Sequence, residues 1–312
     1  MLFLIIIIVM TFPLVLNMTK YFPGFFSTDE SYAPLWDSWR IKYSFQHGTS
    51  LKNTDLIAYP FGLNLYASGY LSFIWLGMIY FLSIFTNPMF AYNIQILCNL
   101  FLSCFFAYFL TFYLTKNRSS AFFSGIIFAF CPYQFVKIWQ HLGLTFNEWI
   151  PLGLLSAILL KERASKKSSF LFLFSLLLLF SFDWCIMYFS TIAIITFLIY
   201  VLLYNWKLKL FRQRQLLGPD RDYFKKVIFL GLIIFIVLLP QFFGVIKHRL
   251  LVSPSDASAF NPFRRPFEDL FAQSAKPLSY FLPAVVHPIF GKFTEQFVGS
   301  SLYGISFTEH TL

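Results

Sequence analysis

Apolar runs near the length of a bilayer crossing govern what this chain can become. They cover residues 2–19, 66–86, 89–115, 119–138, 145–160, 169–205 and 227–246. A crossing helix needs about 20 apolar residues, because hydrocarbon offers an open backbone group no partner. As one helix, 169–205 would be roughly 55 Å long, too long for one crossing. Asp183-Trp184 at its middle marks a turn that gives two short spans. Long unbroken runs, rather than alternating ten-residue strands, exclude an outer-membrane barrel. The expected fold is all-α, a polytopic helical membrane protein.

Composition removes the soluble alternative. Hydrophobic residues make up 58% of the 312 and charged residues 12%, with 44 Phe and 17 Tyr, and the mean hydropathy is +0.66. The net charge of +10 does not point to nucleic acid, since no basic stripe is interleaved with aromatics on a soluble surface. The charge orients the chain instead. Three loops hold 13 of the 24 basic residues: Lys116 and Arg118; Lys161, Arg163, Lys166 and Lys167; and Lys207, Lys209, Arg212, Arg214, Arg221, Lys225 and Lys226. Their acids are Glu162, Asp220 and Asp222. The positive-inside rule puts all three loops in the cytoplasm. Alternation then holds if 66–86 does not cross but dips or re-enters within a charge-balanced outer loop, 20–88, which leaves seven crossings. The alternative is an outside N-terminus with 66–86 crossing, which places Asp29 inside. Met1 to Met18 lacks a basic n-region and a cleavage site, so it is expected to be a retained span.

The polar residues gather outside the spans. Asp29 and Glu30 adjoin just beyond the first span, and a carboxylate pair at a membrane surface is a candidate catalytic or metal-binding site. The competing role is a helix cap, since Ser27 with Glu30 fits a capping box. Trp36, Trp39 and Tyr43 recur at helical spacing and suit an interfacial helix with its aromatic face in lipid. Tyr59-Pro60-Phe61-Gly62 predicts a turn. Cys98, Cys104, Cys131 and Cys185 form no CxxC pair and are read as packing residues. The Asn17-Met18-Thr19 sequon lies close to the bilayer and carries no weight.

Taken together, Thr28-Asp29-Glu30-Ser31-Tyr32-Ala33 and Tyr59-Pro60-Phe61-Gly62 before an apolar helix resemble the first outer loop of the GT-C glycosyltransferase superfamily. Phe128-Ala129-Phe130-Cys131-Pro132-Tyr133, His141-Leu142, Trp149-Ile150-Pro151, Val286-His287-Pro288 and Glu309-His310 are similar to an uncharacterised bacterial and archaeal group of GT-C-like proteins. The resemblance spans essentially the whole chain. It implies a GT-C-like module over 1–246 and a second large outer loop over 247–312, which Leu312 would leave incomplete. It also implies an enzyme in a prokaryotic plasma membrane, acting at the outer face on a polyprenyl-phosphate sugar donor and an unknown acceptor. Asp29 would be the catalytic base, with Glu30 second to it. Among His141, Asn147 and Glu148, the matching metal ligand is Glu148, with His141 and Asp29 as partners. Oxygen ligands suit magnesium or manganese. The departing phosphate needs cations, for which Lys247, His248, Arg249, Arg264, Arg265 and Lys276 are candidates. Asp183 is expected to be a turn residue, and His287 and His310 receive no role.

Two other function classes compete. A lipid or solute transporter or flippase should show inverted repeats and broken helices meeting at the midplane, and no internal repeat is visible. A noncatalytic GT-C-like scaffold would keep the fold without the chemistry.

Overall fold

The computed structural model describes residues 1–23, 32–57, 59–60, 62–64, 73–140, 142–163, 165–182, 184–210, 220–251, 267, 282 and 290–298. They are mostly helical. The chain divides into two compact units, Met1–Arg249 and Leu250–Leu312.

The first apolar run does not form one long helix. Helix α1 (Leu2–Met10) stops at Thr11, whose Oγ1 donates to Ile7 O at 2.7 Å. Pro13 has no N–H to continue the ladder. A single 3-10 turn, Leu14–Asn17, follows. Residues beyond it are strapped to a later helix, described below.

Helix α2 (Ala33–His47) keeps two of the three residues of the expected aromatic stripe together, Trp39 and Tyr43, while Trp36 packs against the core. Trp39 stacks on Tyr43 and Tyr43 on His47, with centroids 5.1 and 4.1 Å apart, and Trp39 is exposed. The opposite face buries Asp37, Arg40, Ile41 and Ser44. Arg40 Nε lies 3.5 Å from Asp37 Oδ1, its Nη1 donates to Leu51 O at 3.1 Å, and its guanidinium sits 5.5 Å over the Trp36 ring. The N-cap of α2 is Tyr32, with no side-chain capping bond and Pro34 in the first turn. Proline is tolerated there because first-turn N–H groups lack helical partners anyway. Ser27 and Glu30 lie outside the described residues.

The predicted turn closes a small antiparallel ribbon. Strands β1 (Asn53–Thr54) and β2 (Leu63–Asn64) pair Asn53 with Asn64 and Thr54 with Leu63. Gly62 has φ of 67°, and a Cβ there would stand 2.9 Å from Thr54 O. Only glycine meets both demands. Helix α3 (Phe73–Phe85) has 13 residues, about 20 Å against a hydrocarbon core of roughly 30 Å.

Helix α4 (Pro88–Thr115) is the hub, packing against α1, α2, α3 and two later helices. Asn87 caps it through Oδ1, which accepts from Phe90 N at 2.7 Å. Asn87 Nδ2 donates to Thr19 O at 3.1 Å, and Asn93 Nδ2 donates to Met18 O at 2.9 Å and to Tyr21 O at 2.6 Å, which straps the N-terminal segment to α4. Lys116 ends it at φ 56°, and Asn117 caps α5 (Arg118–Ala129) by accepting from Ser120 N at 3.0 Å. So short a connection makes α4 and α5 antiparallel neighbours. Gly125 lets them touch, for a Cβ there would lie 2.6 Å from Cys104 O and 3.0 Å from the Phe3 ring of α1. Thr111 Oγ1 donates to Ser124 Oγ at 2.7 Å across the same contact. The run 119–138, expected as one span, therefore breaks. A second short helix, α6 (Pro132–Gln140), begins at a proline suited to a first turn.

A 3-10 turn, Leu142–Thr145, leads into α7 (Trp149–Glu162), followed by α8 (Lys166–Phe182). Ser165 and Ser168 cap α8 reciprocally, each backbone N–H donating to the other's hydroxyl at 3.0 and 3.2 Å. Gly153 and the Ser156–Ser175 hydroxyl pair, 2.9 Å apart, bring α7 and α8 close. Helices α9 (Trp184–Leu210) and α10 (Asp220–Leu251) complete the first unit but for the last two residues of α10. The run 169–205 divides between Phe182 and Trp184. Asp183 itself lies outside the described residues. In the second unit, α11 (Gly291–Val298) stacks Phe293 on Phe297.

Among the described residues, two helical stretches are long and apolar enough to cross a membrane, Pro88–Thr115 and Leu142–Glu162. Large apolar side chains also stand exposed on other helices, including Phe123 and Ile127 of α5, Tyr188 and Phe189 of α9, and Ile228 and Phe229 of α10. A surface facing water rarely shows so much hydrocarbon.

Candidate functional site

Three helices converge on Glu148. It is the N-cap residue of α7, is 2% exposed, and makes no capping bond with its side chain. From the middle of α4, Asn99 Nδ2 donates to Glu148 Oε2 and to Thr145 O, both at 2.7 Å. From α6, Gln134 Nε2 faces Asn99 Oδ1 and Thr145 O at 3.3 Å and Asn147 Oδ1 at 3.1 Å. All three are acceptors, which fixes the orientation of the Gln134 amide and makes Oε1 its free acceptor. Gln134 Oε1 is buried with no hydrogen-bond partner among the described residues. Thr145 Oγ1 turns back to Leu142 O at 2.7 Å and closes the 3-10 turn beneath the cluster.

The position of this cluster along the bundle follows from a second contact. Tyr113 of α4 donates its hydroxyl to Glu162 of α7. Asn99–Glu148 and Tyr113–Glu162 have the same offset in sequence, so α4 and α7 run parallel and in register. Fourteen residues of helix, about 21 Å, separate the two contacts. The basic loops after α4 and after α7 therefore share one end of this helix pair, and the Glu148 cluster lies toward the other. Lys116 Nζ sits 4.2 Å over the Tyr113 ring at the basic end.

Glu148 is thus neither a solvated helix end nor a surface residue. It is a buried carboxyl group held by the Asn99 amide, and burying it demands such a partner. Asp29, Glu30 and His141, the other expected catalytic or metal residues, lie outside the described residues, as do Arg264, Arg265, Lys276, His287 and His310. Lys247, His248 and Arg249 fall in the last turns of α10, with side chains outside the description. No group of three or more His, Cys, Asp or Glu able to hold a metal occurs among the described residues. Cys98, Cys104 and Cys131 are free thiols.

Sequence reasoning missed Asn99 and Gln134. The available signal was the amides themselves, since a side-chain amide inside an apolar run needs a buried partner. No family model matches the chain, and neither curated proteins nor solved structures supply a match.

Proposed function

We propose that the chain is a polytopic membrane glycosyltransferase of GT-C type, moving a sugar from a polyprenyl-phosphate donor to an acceptor at the outer face of a prokaryotic plasma membrane. The observation that carries this reading is the buried Glu148 carboxylate, gripped by Asn99 beside Gln134, at the part of the α4–α7 pair remote from the basic loops. Positive loops favour the cytoplasmic side, so the carboxylate belongs toward the outer one. The exposed apolar faces of α5, α9 and α10 support several further crossings beside α4 and α7.

Sugar transfer needs a base to take the acceptor hydroxyl proton as that oxygen attacks the anomeric carbon and the phosphate leaves. Asp29 is assigned as the base through the resemblance. Glu148 orders the start of α7 against α4 through its contact with the Asn99 amide.

Transfer from a polyprenyl-phosphate donor in liposomes tests the assignment. Asp29→Asn should lower the rate by about 10²–10⁴ while leaving insertion unchanged. Glu148→Gln keeps an acceptor for Asn99 Nδ2 but removes the ionisable group. It should also slow transfer by at least about tenfold if that group serves substrate rather than packing. Full transfer by both variants removes Asp29 and Glu148 from the chemistry and moves the base to Glu30, whereas no transfer by the unaltered full-length protein moves the chain to the noncatalytic scaffold class.

A further inference from the structure

The register of α4 and α7 gathers cations that lie far apart in sequence. Lys116 and Arg118 form the turn after α4, and Lys161, Arg163, Lys166 and Lys167 span the end of α7 and the start of α8. The Tyr113–Glu162 hydrogen bond brings these two turns side by side. Lys116 Nζ lies 4.2 Å over the Tyr113 ring, and the Arg163 charge acts on the hydroxyl of the same tyrosine. A cation from each turn thus meets at one residue.

Little negative charge opposes them. Glu162 is the one acid of the two turns, and its Oε2 accepts from Tyr113. Lys116, Arg118, Arg163, Lys166 and Lys167 are exposed, and none forms an ion pair among the described residues. The helices add to the field. Helix α5 starts at Arg118 and α8 at Lys166, so both have their N-termini at this end. A helix N-terminus carries partial positive charge.

Such a patch attracts an anion, and its surroundings select the class. Leu114, two residues before Lys116, is 61% exposed, and Phe170, three after Lys167, is 67% exposed. Phe170 stacks on Phe174, which is also exposed. Hydrocarbon surface therefore begins within a turn of the cations on both α4 and α8. A free anion or a soluble polyanion would engage the charges alone. A phospholipid engages both, its phosphate meeting the cations and its acyl chains the exposed Leu and Phe side chains. The guanidinium of Arg163 has the planar fork that matches phosphate oxygens.

We propose that the paired turns form a binding site for an anionic phospholipid of the cytoplasmic leaflet, with its phosphate held between Lys116 and Arg163. The site rests on the membrane reading of the chain but not on sugar transfer, and its test reads binding alone.

The experiment uses the full chain, delipidated in a neutral maltoside detergent, with retained lipid counted by mass spectrometry. Dioleoyl phosphatidylglycerol should be retained about tenfold better than dioleoyl phosphatidylcholine. Lys116→Asn removes one cation and suits the φ of 56° at that position. Arg163→Gln removes the other. Each should cut phosphatidylglycerol retention about fivefold, the effect of one basic side chain at an anionic leaflet. Phosphatidylcholine retention and the melting temperature should stay unchanged, which shows that the variants are folded. Lys225→Gln, at an exposed basic position near the start of α10, should cost nothing. Equal retention of the two lipids by the unaltered chain overturns the site, as does full retention of phosphatidylglycerol in both variants. A matching loss in Lys225→Gln makes the attraction diffuse and overturns it too. Displacement of the lipid by excess inorganic phosphate assigns the patch to a free anion and overturns the lipid as its occupant.

Discussion

Asp37 is a buried acid whose nearest cation only partly offsets its burial. Burial pushes its carboxyl up from 3.8 to about 6, with the Arg40 charge pulling it back down. Because the folded chain holds this proton more tightly than the unfolded chain, stability from this group is full below about pH 4. It declines as pH rises and is lost above about pH 6. A two-unit shift corresponds to about 3 kcal/mol. Thermal unfolding of the detergent-solubilised chain from pH 4 to 8 should show this slope, and Asp37→Asn should flatten it between pH 4 and 6. A wild-type slope in Asp37→Asn refutes the assignment. At this same scale the site was only half legible in the sequence. Glu148 stood out as an acid in an apolar context. Its cradle did not, because Asn99 and Gln134 lie 49 and 14 residues away and meet it only when three helices close.

Between elements, close approach depends on small residues. Gly125 sits against the Cys104 carbonyl of α4, so Gly125→Ala must push backbone from backbone. It should destabilise by about 1–3 kcal/mol, the usual cost of overpacking. Gly231 in α10 has open space around it. Gly231→Ala should therefore be neutral or add up to about 1 kcal/mol through helix propensity. Parallel unfolding titrations of the two variants check the contrast, and equal effects would show that the α4–α5 contact is not tight. The helices themselves were mostly legible. Run 89–115 became α4 nearly residue for residue, and 169–205 is covered by α8 and α9, the Asp183 between them lying outside the described residues. Runs 2–19 and 119–138 were overextended because hydropathy outweighed Pro13 and Pro132, each of which sits where the helical ladder stops. The capping box of Ser27 and Glu30 lies outside the described residues, and α2 itself starts further on, at Ala33.

Across the whole molecule, the parallel register of α4 and α7 makes sidedness testable. Cysteines placed at Ser119 and Ser165, in a background lacking the native thiols, should be labelled from the same side of sealed cells, the cytoplasmic one. A probe at Ser119 that reacts from outside overturns the topology and makes 66–86 a crossing. The strap that joins Met18 and Tyr21 to Asn93 has a consequence for biogenesis. Its two halves are separated by 75 and 72 residues. At about 5–20 residues per second of synthesis, the first segment waits roughly 4–15 s for its partner to be made. Until then its exposed backbone carbonyls have no asparagine to bind. Holding the nascent N-terminus through that interval falls to the insertion machinery or the bilayer interface, so the chain's earliest residues settle only after α4 has been made.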